Sequence, residues 1–578
     1  MTRGSMVLAL ALTCALAAQA GCKSEPTKEP EKTASQPPSS ASPSAAPATT
    51  AAAGKEPLYL AALDAAERQD FYHVPEGGEL LPLDILYAVE STKTFKPFME
   101  NLERFRLIPD PADPDGLPVG MSVAMVDGKR TDPRMVFFNC AACHVAEVTY
   151  QGARIRVDGA PAHFDMAGFV VELIESLTAT ITDPNRLSPF LHRLAKRRHP
   201  GSGDAAVTKA WPDLKLPADK PALALSAKAK ELIESEKARV VEKIEQKKVE
   251  LDTAAEALHL IKSKIVYLER IRGLKTTTFS GFGRLDAFMA ARNLLFGEKY
   301  AVDVDSPVSL PPIFYLSKLT WFHYDNNTNS FLQRNIGQDL GVGAVADMNT
   351  GDSTVLLRNL RRLEQIASKL STPRWPEEVL GKIDRERAGR GAEIYKKECA
   401  SCHDYGDDGM FPDRTYDLAT IGTDPNRANN FIKPLGDKTF VGELAVVLDK
   451  LEKAAFVREK VTPEEAAKME PPKIIWRGTG KYASRPLAGV WASAPYLHNG
   501  SVPTLYDLLL PPEKRPKTFL TGSRELDTKK VGYETSGEKG GAFLFDTSQN
   551  ANKNTGHTYG TTLSEEQRLD LIEHLKSL

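Results

Sequence analysis

Two five-residue segments, Cys140-Ala-Ala-Cys143-His144 and Cys399-Ala-Ser-Cys402-His403, leave the rest of this chain the least freedom in how it is arranged. C-x-x-C-H is the attachment pattern of c-type haem. Two thiols three positions apart on a turn can form thioethers with the two vinyl groups on one porphyrin edge. The residue that follows then lies under the ring, where its imidazole can ligate iron. Two other uses of paired cysteines compete: one zinc site of four thiolates drawn from both pairs, or a thioredoxin-like dithiol. Neither accounts for a histidine directly after each pair. The segments therefore point to two covalently bound c-type haems.

The chain has 578 residues, with 74 Lys+Arg against 76 Asp+Glu and a formal charge of −2. So even a balance gives no field for gripping a polyphosphate, which excludes nucleic acid as a partner. Six cysteines are too few for a disulfide scaffold. Arg3 and the apolar run from Met6 to Ala18 read as a signal peptide over residues 1–21, the run being too short to span a bilayer. Ala18-Gln19-Ala20 fits an A-x-A cleavage site, and Ala20-Gly21-Cys22 resembles the end of a lipoprotein box, with Gln19 in place of the usual Leu. Residues 22–55 are a Pro/Ser/Ala-rich tract that cannot bury a core, as a disordered tether would be. The expectation is an exported protein, periplasmic, secreted, or held at the outer membrane through a lipid on Cys22 alone.

The remainder divides into a first haem domain, 56–380, and a second, class I-like cytochrome c domain, 381–578. The expected fold is mainly α: two cytochrome c-like domains with long loops, plus a long helical insertion at about 200–275. Asp384 to Glu398 reads as a helix, with Gly391 and Tyr395 eight and four places before Cys399 on one face. Ser564-Glu-Glu-Gln567 is a capping box opening a last helix striped by Leu569, Ile572 and Leu575. This combination looks like a class I cytochrome c domain, in which the first and last helices pack together beside the haem. No helix is evident just before Cys140. In the insertion, Ala227 to Arg272 is free of Gly and Pro, and Leu251 to Leu268 keeps an a/d spacing, as in a helical hairpin or coiled coil.

The sixth ligand of each iron decides what the protein does. A filled position passes electrons, and an open one binds oxygen or peroxide. His192, His199, His259 and His574 lie in charged helical contexts and read as solvated, while His73 and His163 lie in loops. His557, in Gly556-His-Thr-Tyr-Gly560, is the first candidate to close the second haem, with His498, Met410 and Met469 as alternatives. His323, in Trp321-Phe-His-Tyr-Asp325, could face the first haem.

Taken together, several segments resemble the bacterial di-haem cytochrome c peroxidase superfamily, and most closely the rubber oxygenase-like di-haem c-type cytochromes. They include Gly281-Phe-Gly-Arg-Leu-Asp-Ala-Phe288, Arg334-Asn-Ile-Gly337, Arg485-Pro-Leu-Ala-Gly-Val-Trp, Ala494-Pro-Tyr-Leu-His-Asn-Gly500 and Gly556-His-Thr-Tyr-Gly560. The resemblance covers most of the chain from about Glu56 onward, apart from the insertion. It implies a reactive haem on Cys140, Cys143 and His144, and a low-spin relay haem on Cys399, Cys402 and His403 with His557 as its distal ligand. It implies a distal wall at the reactive haem that includes Phe322 and Phe331, from which His323 departs as a distal base or an iron ligand, and an aromatic bridge between the haems, for which Trp491 is the candidate, core packing being its other reading. Some relatives also hold calcium between the haems. The implied partners are an electron donor, either a redox protein or a small molecule, and a small or apolar substrate with oxygen or peroxide. A peroxidase or a non-catalytic electron carrier would share the same motifs.

Overall fold

The first C-x-x-C-H segment is folded by β structure on both sides. The β-branched and aromatic run Met135–Phe138 forms the central strand of a small antiparallel sheet, between Leu81–Pro82 and Met121–Val123. Directly after the motif, Val145–Tyr150 and Ala153–Asp158 pair as a hairpin, with Val145 opposite Asp158. Leu58–Tyr59 adds a parallel strand at its outer edge. The structure, a computed structural model, describes residues 56–60, 63–126, 129–130, 134–198, 254–272, 278–539 and 541–578. The signal segment, Cys22, the tether and the insertion up to residue 253 lie outside the described residues.

Three apolar cores carry the rest. One gathers the helices Met166–Thr182, Pro184–Arg198 and Ala254–Arg272 around a cluster of phenylalanines in which Phe98 and Phe169 lie 5.2 Å apart. The described part of the insertion thus ends inside a core: Leu258, Ile261 and Leu268, three of its a/d positions, are buried there. Another core joins the helices Phe331–Val342, Leu357–Ala367 and Phe440–Arg458. The third runs from Val148, Ile155 and Phe314 through Leu363 and Ile366 to Trp491, Leu571 and Ile572. The expected boundary at 380/381 falls inside this third core, which draws residues from both sides of it. Strands are short and form eight sheets of two or three strands among the described residues, while helices dominate the cores.

Beside the second motif, the helices Arg385–Glu398 and Glu565–Lys576 cross in close contact. Gly391 makes the crossing possible, since a Cβ there would lie 2.1 Å from the Asp570 carbonyl oxygen. Arg390 clamps the crossing with a two-pronged ion pair to Asp570, at 2.8 and 2.9 Å. Ser564 and Gln567 form the capping box. The buried stripe is Leu571, Ile572 and Leu575; Leu569, expected in it, is only half-buried. No described helix is long and apolar enough to cross a membrane.

Candidate functional site

Each C-x-x-C-H segment opens into its own cavity, each with about 1370 Å³ of empty space, part of it solvent-exposed. Cys140, Cys143 and His144 line the first, and Cys399, Cys402 and His403 the second. All four cysteines are free. Because the pairs sit in separate cavities, they do not converge on one four-thiolate zinc site. Among the described residues no cluster of three or more His, Cys, Asp or Glu is arranged to hold a metal ion.

At the first site Cys140–His144 is one short helical turn. Asn139 caps it, its Oδ1 accepting from the Ala141 N–H at 3.0 Å while its Nδ2 donates to the Phe71 and Val74 carbonyls. Glu76, fully buried, accepts from the Cys140 N–H at 2.8 Å and from its thiol. Burial holds the Glu76 carboxyl above its usual range, and burial with the Glu76 charge raises both thiols, Cys143 to about 12. His144 Nδ1 donates to the Pro311 carbonyl at 2.9 Å. A carbonyl only accepts, so this bond fixes the tautomer and leaves Nε2 with the free lone pair an iron ligand needs. Burial and the Arg334 charge push His144 down to about 3, keeping it neutral.

The second site repeats the device: His403 Nδ1 donates to the Arg485 carbonyl at 2.7 Å, leaving its Nε2 free in the same way. His557 faces it, with ring centroids 6.4 Å apart. Imidazole nitrogens bind a metal at about 2.0–2.1 Å, so two imidazoles on one metal place their centroids roughly 6–6.5 Å apart. His557 sits at φ +46°, in the left-handed region, after Gly556, whose own Cβ would lie 2.1 Å from the Gly422 carbonyl carbon. The buried Arg515 guanidinium pins this loop through the carbonyls of Asn554, Gly556 and His557. Burial, with the neighbouring His403 and Arg515, lowers His557 to about 4, and its buried Nδ1 has no hydrogen-bond partner. His498, the alternative, lines the same cavity but stacks on Tyr482 at 4.1 Å. Met410 and Met469 do not line it.

The wall of the first cavity is largely apolar, with Phe288, Leu316, Phe322, Leu444 and Leu448 among its residues. His323 lines it too, its ring 4.9 Å from Phe288 and its Nδ1 bonded to the Asn327 side-chain oxygen at 2.7 Å. Among the described ring contacts no imidazole faces His144 as His557 faces His403. Phe331 does not reach the cavity; it stacks behind Phe322 at 5.1 Å. Trp491 lines neither cavity. It is fully buried, its indole donating to the Pro373 carbonyl and its ring edge-on to Trp375 at 5.4 Å. The residues that do line both cavities are Tyr324 and Arg485; both stand in segments the sequence singles out, but the sequence gives neither of them a role.

Both cavities fit a haem by the chemistry of their donors. Two thiols and one tautomer-fixed imidazole stand together in each, and a second imidazole with an orphaned nitrogen faces the second. Arg334 and Arg485, buried in the wall of the first cavity, form no ion pair among the described residues. Buried guanidinium groups require anions, and a porphyrin carries two carboxylates.

Comparison with known proteins adds the following. Residues 480–520 match a family described as RoxA-like, cytochrome c-like. The chain is 30% identical over 597 residues to the uncharacterized protein y4iJ of Sinorhizobium fredii (strain NBRC 101917 / NGR234), covering 89% of this chain and 91% of that one. The uncharacterized protein y4iM of the same organism is 29% identical over 296 residues, covering 46% of this chain and 64% of its own.

Proposed function

This chain belongs to the family of the rhizobial protein y4iJ and contains a RoxA-like, cytochrome c-like segment, and on that basis we propose that it is a di-haem c-type cytochrome acting as an oxidoreductase. In this reading the first site binds and activates oxygen or peroxide, and the second relays electrons. The carrying observation is the difference between the two cavities: His403 has a facing imidazole at 6.4 Å, whereas among the described ring contacts no imidazole faces His144, whose cavity is largely apolar. A haem with an open position supplies oxygen or peroxide binding, and one with both axial positions filled supplies electron transfer.

The chain's own residues divide the work accordingly. Cys140 and Cys143 tether the reactive group, and Cys399 and Cys402 the relay. The Pro311 and Arg485 carbonyls keep His144 and His403 in the tautomer that presents Nε2. Phe288, Phe322 and Leu448 exclude water from the first cavity and favour an apolar substrate. His323, neutral because burial and the Arg334 charge lower it far below its ordinary value, is bonded through Nδ1 to Asn327 and keeps its Nε2 lone pair free as a hydrogen-bond acceptor in that cavity. That histidine favours the second reading, peroxide reduction with electrons from a redox protein or small donor. Export and a lipid on Cys22 belong to the same proposal and rest on the leader sequence.

Absorption and EPR spectra of the haem-loaded protein, oxidised, reduced, and reduced with CO, test the assignment. One high-spin, CO-binding haem beside one low-spin haem is expected. Two low-spin haems indifferent to CO would leave only an electron carrier. With an open haem in hand, turnover of polyisoprene-like chains against turnover of hydrogen peroxide separates the two enzymatic readings.

A further inference from the structure

We infer that Glu452 and Glu470 share a single proton and that this pair, acting through Gln333, positions Trp476 in the wall of the first cavity. The pair forms where the helix Phe440–Arg458 and the end of the helix Pro463–Met469 meet the start of Phe331–Val342. Glu470 Oε1 accepts from the Ser330 hydroxyl and, at 3.2 Å, from the Gln333 N–H. Glu452 Oε2 accepts from Gln333 Nε2 at 2.8 Å. The other two oxygens, Glu452 Oε1 and Glu470 Oε2, are buried, and no N–H or O–H of the described chain donates to either. The two carboxyls instead hydrogen-bond to one another. Ionised carboxylates only accept, so one of the two carries a proton.

What the pair does follows from Gln333. A side-chain amide presents oxygen on one side and nitrogen on the other, so a carboxylate on Nε2 decides where Oε1 faces. Here Oε1 accepts from the Trp476 indole N–H at 2.8 Å. Trp476 lines the first cavity, its ring 6.4 Å from that of His323. Burial raises both carboxyls, and the Glu452 charge raises Glu470 further, so the shared proton stays at neutral pH and leaves as the medium turns alkaline. The neighbouring charges are engaged elsewhere. Asp449 pairs with Lys453 at 2.7 Å, Arg361 pairs with Glu364 at 3.0 Å, Arg334 bonds Asn335 at 2.6 Å, and Lys468 is exposed.

The inference goes beyond the two-haem reading, because it concerns the wall whatever group the cavity holds. The test is a double-mutant cycle on the haem-loaded full chain, with Glu452→Gln, Glu470→Gln and both together unfolded in urea at neutral pH. One amide can replace the protonated carboxyl, its N–H donating across the pair, so each single variant should keep its unfolding constant within about threefold of wild type. Two amides would turn N–H toward N–H, because Ser330 and Gln333 hold their oxygens. The double variant should therefore unfold at least about tenfold more readily than the two singles combined. Two ionised carboxylates would behave in the opposite way, each amide relieving repulsion, so a double variant as stable as the singles overturns the inference. A double variant that fails to fold beside two stable singles supports it, and singles that also fail overturn it. The link to the cavity is read by near-ultraviolet circular dichroism, each protein against its Trp476→Phe counterpart. That difference should change in wild type as pH turns alkaline and stay constant with Glu470→Gln. A wild-type difference that ignores pH, or a Glu470→Gln difference that follows it, overturns the inference.

Discussion

At the scale of single residues, the sites are built by carbonyls as much as by side chains. The Pro311 and Arg485 carbonyls decide which nitrogen of His144 and His403 is free, and Arg515 decides where His557 stands. Replacing His557 with Ala is expected to turn the second haem high-spin and CO-reactive, read by EPR and reduced-CO spectra; a spectrum that stays low-spin would move the ligand elsewhere. His73 offers a separate test in the shell of the first site. Its Nδ1 donates to the Met121 carbonyl at 2.8 Å and its Nε2 meets Asp110 at 2.9 Å. Burial opposes the imidazolium, but the bonds to Asp110 and Met121 prevail and raise His73 above 6.5. Burial likewise opposes the Asp110 carboxylate, and His73 with the Ala112 N–H outweighs it, lowering Asp110 to about 2. A raised histidine stabilises below its unfolded value and stops doing so as pH rises through its folded one. A depressed aspartate stabilises above 3.8 and stops as pH falls toward 2. Both contributions coexist between 3.8 and 6.5, and His73→Gln should remove the loss on the alkaline side in urea titrations across pH.

At the scale of elements, the crossing of Arg385–Glu398 with Glu565–Lys576 makes a paired prediction. Gly391→Ala drives a methyl into the Asp570 carbonyl and should cost about 1–3 kcal/mol. Gly389→Ala, in the same helix with nothing within 4 Å of its Cβ, should stabilise by about 0.5–1 kcal/mol. Denaturant unfolding followed at the second haem separates the two; equal effects would mean that the crossing is looser than described. This helix pair was legible in the sequence, because caps, glycine spacing and the apolar stripe are local signals. The two cysteine motifs were legible for the same reason, and His557 because glycines flank it. The shared position of Tyr324 and Arg485 was not, although both stand in quoted segments, since chain far apart in sequence builds the two cavities they line. Trp491 is a different case, since the structure shows its packing rather than a role. Its indole is enclosed by Pro373 and Trp375, the core-packing side of its two readings. Likewise His574, which reads as solvated, packs its ring 5.2 Å from Tyr395.

At the scale of the whole molecule, the core that runs from Val148 to Ile572 ties the two halves into one cooperative body. Bridges from Leu319 to Phe411 and from Thr149 to Glu525 do the same at the backbone. Thermal unfolding followed at both haems should give coincident transitions, and a fragment ending at residue 380 should remain unfolded; two separated transitions would restore independent domains. The placement of those carbonyls also sets a calendar for the growing chain. His144 waits for a partner 167 residues downstream, and His403 for one only 82 residues away. Loop closure over such distances is slow and late. Cys140 and Cys143 are therefore synthesised, and open to modification, long before the wall that encloses them exists. A cofactor that must be stitched on while its cradle is still unmade is better held by thioethers than by shape.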